Sequence, residues 1–140
     1  MTGYLLDTNI LAELRKHDRC NPGVSNWFDT VDDGSVFLSV LVIGEVRRGV
    51  ELLRRRDPAA AAQLDAWLHR IKAQFASRII GIDSDICELW GGLGLQQPAP
   101  PIDGLLAATA LFHDLVLVTR NVSDVQRIGV RLHNPFSRVV

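Results

Sequence analysis

Four short segments of this chain, "YLL" (4–6), "SVFLS" (35–39), "RIIGI" (78–82) and "LVLVT" (115–119), are apolar instead of alternating with polar residues. A strand with one wet face alternates; a strand buried on both faces stays apolar throughout. Between these segments the period changes to that of helices. "NILAELRK" follows the first, and "NPGVSNWFDTV" reads as a short helix starting after Pro22. "VLVIGEVRRGVELLRRR" puts Ile43, Val46, Val50 and Leu53 on one face. Asp57–Pro58 restarts a helix whose stripe is Leu64, Trp67, Leu68, Ile71 and Phe75. Asp83 or Ser84 caps "DICELWGGLGL", and the one linker-like stretch, "QQPAPP", precedes the helix "IDGLLAATALFHD". After "LVLVT" a brief "RNVSDVQRIG" leads to a candidate fifth strand, "VRLHNPF". Buried strands alternating with helices predict an α/β fold: a single-domain α/β/α sandwich around a mostly parallel sheet of about five strands.

The chain has 140 residues, 47% hydrophobic and 22% charged, enough for one globular domain with a sizeable core. Its net charge of −1 gives no general attraction to nucleic acid, so phosphate contact requires local clustering of cations. All basic residues except Lys16 and Lys72 are arginine. Cys20 and Cys87 lack a metal or redox spacing and read as free thiols. "MTGYLLD" has neither the basic nor the apolar region of a signal peptide, and no apolar run reaches the roughly 18 residues needed to cross a bilayer. A cytoplasmic protein is expected.

In parallel sheets covered by helices, ligands bind beyond the carboxyl ends of the strands. Asp7 ends the first strand there, and "RNVSD" follows the fourth. Asp7 by itself could simply cap the next helix. Glu45 is harder to dismiss. At about 100° per residue it lies opposite the stripe of Ile43, Val46 and Val50, in a row with Leu41 and Leu52. Its ordinary compensation would be Arg48, three residues on. Asp103 sits in the first turn of its helix, where a negative charge is favoured in any case, with Ala107 and Ala110 continuing its face. Asp124 could cap a short turn, and Asn121 could be a turn residue. Taken together, carboxylates crowded at one sheet edge repel one another. A divalent cation resolves that conflict, and all-oxygen ligands select a hard ion, Mg²⁺ or Mn²⁺. His17, His69, His113 and His133 are scattered and suggest no zinc site.

"LLDTNILAEL", "VIGEVRRGV", "PIDGLLAATA" and "LVTRNVSDV", in this order and spacing, resemble the PIN-domain ribonucleases, and among them the VapC/FitB-like toxins of toxin–antitoxin modules. "HNPF" resembles that subgroup's last strand, so the likeness covers nearly the whole chain, taken as one PIN domain over 1–140. The resemblance implies an acidic quartet of Asp7, Glu45, Asp103 and Asp124, with Asn121 and Thr119 as polar accessories. "SDV" stands where relatives carry "DF" or "DL", so Asp124 and Asn121 remain alternatives for the fourth ligand. The implied activity is Mg²⁺-dependent endoribonuclease cleavage leaving 5′-phosphate and 3′-hydroxyl ends. Asp7 and Asp103 are the expected direct ligands; Glu45 and Asp124 act directly or through water. The implied partners are an RNA substrate, a second copy of the chain, and a VapB-like antitoxin; the carboxylate cluster itself suggests inhibition by an Arg, or less well a Lys, that the antitoxin inserts among Asp7, Glu45 and Asp103. Arg47, Arg48, Arg54–Arg56, Arg15, Lys16 and Arg120 are candidate RNA contacts, although Arg54–Arg56 also suits an ordinary helix end.

Other readings fail on specific residues. A haloacid-dehalogenase-like phosphatase requires a second Asp where Asn9 stands, and a receiver domain requires a lysine after a late strand, where neither lysine lies. "GGLGLQ" does not join a strand to a helix and is no dinucleotide loop. The alternative from another class is a catalytically inactive PIN-like module that binds RNA or protein.

Overall fold

A computed structural model describes residues 2–137. Strand β1 (Gly3–Leu6) leads into helix α1 (Thr8–Leu14), then α2 (Pro22–Thr30), β2 (Val36–Ser39), α3 (Val40–Arg54) and α4 (Pro58–Gln74). There follow β3 (Ile79–Ile80), α5 (Ser84–Gly91), α6 (Pro101–Phe112), β4 (Leu115–Val118), α7 (Val122–Val125) and β5 (Leu132–His133). The strands form one sheet in the order β3-β2-β1-β4-β5, and every pairing is parallel. The expected sandwich is present, with the sheet wholly parallel.

The centre of the sheet is its driest part. Leu5, Leu6, Leu38, Leu117 and Val118 are at most 2% exposed, each contributing about 1.5–3 kcal/mol by burial. Helices cover both faces, which is why the strands read as apolar runs. On α3 the buried line is Val42, Val46 and Val50. Ile43 and Leu53 are only half-buried, a rotation of the expected stripe by one residue. On α4, Trp67, Leu68, Ile71 and the following Phe75 are buried as expected.

Helix starts follow local chemistry. The Asn21 side chain accepts from Gly23 N–H and Val24 N–H ahead of Pro22, Asp57 caps α4 ahead of Pro58, and Asp83 caps α5. Ser39 ends β2 and caps α3 in one step, which fixes the start of α3 at the carboxyl edge. Three expected elements are shorter than the sequence suggested. Helix α5 stops at Gly91, because two further glycines interrupt "GGLGL" and Gly94 takes a left-handed φ of +61°. Strands β3 and β5 keep two residues each, as edge strands with a single neighbour. Cys20 and Cys87 are free thiols. No described helix is long and apolar enough to cross a membrane.

Candidate active site at the carboxyl edge of the sheet

Parallel register brings the two ends of the chain together. Leu6 pairs with Val118, so Asp7 and Thr119, the next residues on each strand, emerge side by side. Asp7 is 6% exposed and Thr119 1% exposed. The Thr119 hydroxyl donates to Asp7 Oδ2 at 2.7 Å, across 112 residues of sequence. Thr8 N–H donates to Asp7 Oδ1 at 2.7 Å, and Asn9 Nδ2 to Asp7 Oδ2 at 3.2 Å. Asp7 does cap α1, as the simpler reading held. It also faces a narrow crevice that Asp103, Leu106, Leu117, Thr119, Asn121 and Val125 line with it.

Glu45 joins the same edge. Its Oε1 accepts the Thr8 hydroxyl at 2.5 Å. No ion pair to Arg48 forms, so the compensation is a hydroxyl from the corner that carries Asp7. Helix α6 begins at Pro101, and its first turn presents Asp103. A Cβ on Gly104 would come within 2.9 Å of Trp90 Nε1, so the glycine lets α5 pack close beside the Asp103 turn. Asp124 lies within α7 instead of capping it, and is exposed. Asn121 is exposed, and its N–H donates to the Thr119 hydroxyl at 2.9 Å.

The electrostatics tie the four acids together. Burial first, and then the charges of Asp7, Asp124 and Glu45, together push the Asp103 carboxyl up to about 6. None of the four forms an ion pair among the described residues, where other acids do.

Residues 4–129 match the PIN domain family. The chain is a PIN-domain protein. It is similar over 94% of its length to the toxin FitB of Neisseria gonorrhoeae (29% identity, 97% of that protein). It is also similar to the VapC ribonuclease Y4jK of Sinorhizobium fredii (26% identity, 94% of this chain and 96% of that protein). Among solved structures, FitAcB from Neisseria gonorrhoeae superposes with a TM-score of 0.85 at 29% identity, covering 94% of this chain and 97% of that one. FitAB bound to an IR36 DNA fragment gives 0.86 at 26% identity, with 98% of each chain covered.

Within this PIN domain, Thr8 and Asn9 are polar partners of the acids that sequence reasoning did not single out. Asn9 bridges Asp7, Thr119 and the N–H of Arg120. The signal for them was their place directly after a strand-ending aspartate.

Among the described residues, no three His, Cys, Asp or Glu side chains are gathered into a group that could hold a metal ion as they stand. The donor chemistry nevertheless fits a hard divalent cation. The donors are all oxygen, and a carboxyl raised by its acidic neighbours is one that a cation would favour in its charged form. Mg²⁺ keeps several of its waters and needs only one or two direct carboxylates, so it does not require a closed shell of protein ligands.

Proposed function

We propose that this PIN-domain protein is a metal-dependent endoribonuclease, the toxin of a toxin–antitoxin pair. The observation that carries this is a set of four carboxylates at the carboxyl edge of the sheet with no cationic partner among the described residues. A relative named as a ribonuclease and another named as a toxin support the reading. Asp7 and Asp103 would hold Mg²⁺ or Mn²⁺ directly, with Glu45 and Asp124 acting directly or through water; Asn121 remains the alternative to Asp124. When bound, the ion supplies Lewis-acid polarisation of the phosphate and a more acidic attacking water.

The chain's own residues have separate tasks. Thr119, Asn9 and the Thr8 N–H fix the Asp7 carboxylate in one orientation. The Thr8 hydroxyl does the same for Glu45. The buried floor of Leu106, Leu117 and Val125 lowers the local dielectric beneath the acids.

An antitoxin partner, a homodimer and a cytoplasmic location complete the reading. A groove of about 460 Å³ between α1, α2 and α4, lined by Leu11, Leu14, Phe28, Trp67, Ile71 and Phe75, suits the apolar face of an antitoxin helix. From there a following segment would reach the acids and place an Arg or Lys among them.

The test is cleavage of purified total RNA by the purified protein. Cleavage should require Mg²⁺ or Mn²⁺, stop on chelation, and leave 5′-phosphate ends. RNA bound but left intact under every divalent ion would favour the inactive binding module instead.

A further inference from the structure

The carboxylates of the site repel the phosphodiester they are proposed to cut, so a cation must seat the backbone beside them. Several candidates are already engaged. Arg47 binds Asp65 at 2.8 Å, Arg54 contacts Glu51 and Asp65, Lys16 binds Glu13 at 2.9 Å, and Arg131 binds Asp114 at 2.8 Å.

Arg120 differs from all of these. It directly follows Thr119, whose hydroxyl holds Asp7. Its own N–H donates to Asn9 Oδ1 at 3.2 Å, which ties its main chain to the β1–α1 corner. Its side chain forms no ion pair among the described residues, and Glu13, the acid that feels its charge, is held by Lys16. Its guanidinium carbon instead lies over the Phe136 ring, 4.9 Å from the centroid. A cation held by a ring face keeps its charge and its N–H donors, whereas one held by a carboxylate has spent both.

The ring is itself anchored. Phe136 N–H donates to Asn134 Oδ1 at 3.0 Å. Ser137 N–H donates to Asn21 Oδ1 at 2.9 Å, and Asn21 Nδ2 returns a bond to Ser137 O at 3.3 Å. Gly23 lies so close that a Cβ there would strike the Pro135 carbonyl oxygen. The segment after β5 is therefore strapped to the start of α2.

We propose that Arg120, seated on Phe136, grips an RNA phosphate at the mouth of the acidic site, and that residues 134–137 form the platform that aims it. Arg120 is a binding residue; Phe136 is a positioning residue. This rests on the ribonuclease reading. A planar guanidinium can take two phosphate oxygens at once, which fixes the backbone in register with Asp7 and Asp103.

The experiment compares the full chain with Arg120→Ala, Phe136→Leu, Phe136→Trp and, as a control on α4, Arg70→Ala. Cleavage of a fluorescent single-stranded RNA gives KM and kcat, and anisotropy in an Asp7→Asn background without metal gives affinity against salt. Arg120→Ala should raise KM about tenfold, leave kcat within about twofold, and lower the salt slope by about 0.7, the loss of one phosphate contact. Phe136→Leu should move KM and slope part of the way, with Phe136→Trp restoring both, since a ring is what the cation needs. Melting curves identify any variant that fails to fold, and Arg120→Ala, at an exposed position, still decides the case. Wild-type cleavage with KM and salt slope unchanged in Arg120→Ala, or changed equally in Arg70→Ala, overturns the proposal. A wild-type protein that neither binds nor cuts RNA overturns the ribonuclease reading itself.

Discussion

Asp65 and Asp103 are the same residue in opposite circumstances. Asp65, on α4, receives Arg47 at 2.8 Å, His69 at 3.1 Å and Arg54 at 3.5 Å. The Arg47 hydrogen bond is the largest reason its carboxyl lies below the usual range. Asp103, on α6, has burial and three like charges around it, and its carboxyl rises to about 6. The α3–α4 hairpin uses charge to join two helices. The sheet edge concentrates charge and leaves it uncompensated, at a cost to the fold. An arrangement that costs stability persists where something outside the chain completes it, which is why the edge and not the hairpin is the candidate site.

The largest expected effect breaks that comparison at its centre. Asp7→Asn should lower RNA cleavage by about 100-fold or more, since it removes a metal-ligand charge. The fold should survive, because an Asn side chain can still accept from Thr8 N–H and so keep the cap of α1. A cleavage assay beside a thermal melt separates the outcomes. Unfolding would mean that Asp7 is chiefly a helix cap, and full activity would remove it from the reaction.

Asp103 gives a pH signature of smaller size. Its folded value of about 6 exceeds the ordinary 3.8, so the folded state binds the extra proton across that window. Metal-free stability should therefore rise as pH falls from about 7 toward 4 through this group, by roughly 1 kcal/mol once solvent screening at a half-exposed site is allowed for. Asp103→Asn should flatten that dependence and stabilise the metal-free protein at pH 7, while cleavage is lost. Mn²⁺ should also stabilise the wild type more at pH 7 than at pH 5, because it competes with the proton. An Asp103→Asn melt with an unchanged pH profile would place the titration elsewhere.

Much of this was legible in the chain. Asp7 and Asp103 could be placed because apolar strands followed by helices put strand ends and helix starts at one edge. Glu45 stood out by helical phase alone, lying off the apolar stripe of α3. The partners were not legible. Thr8 is unremarkable in sequence, and Thr119 is named only through the family resemblance; it is the pairing of Leu6 with Val118 that makes it a neighbour of Asp7. Arg47 read as a possible RNA contact because its pairing with Asp65 depends on how α3 packs against α4, which no local pattern encodes. Helix α5 ends at the first glycine of the expected "GGLGL" because three glycines in five residues do not sustain a helix, whatever precedes them.

The smallest expected effect sharpens the comparison from the paired side. Asp65→Ala removes the acid that three basic side chains share, leaving Arg47, Arg54 and His69 facing one another. All of these groups are open to water, where an ion pair is screened and ordering long side chains offsets much of its attraction. The melting temperature at pH 7 should fall by roughly 2–4 °C or less, and the loss should shrink in high salt. Because the folded carboxyl lies below its ordinary value of 3.8, its contribution is fully present above that pH and disappears as pH falls through the lowered value. That is the reverse of the trend expected for Asp103. Cleavage should be unchanged, since the pair joins α3 to α4 and contacts none of the four edge acids. A large loss of activity from Asp65→Ala would show that the hairpin holds Glu45 in place through α3. The two carboxylates would then belong to one coupled unit, and the division between paired and unpaired charge would no longer mark out the site.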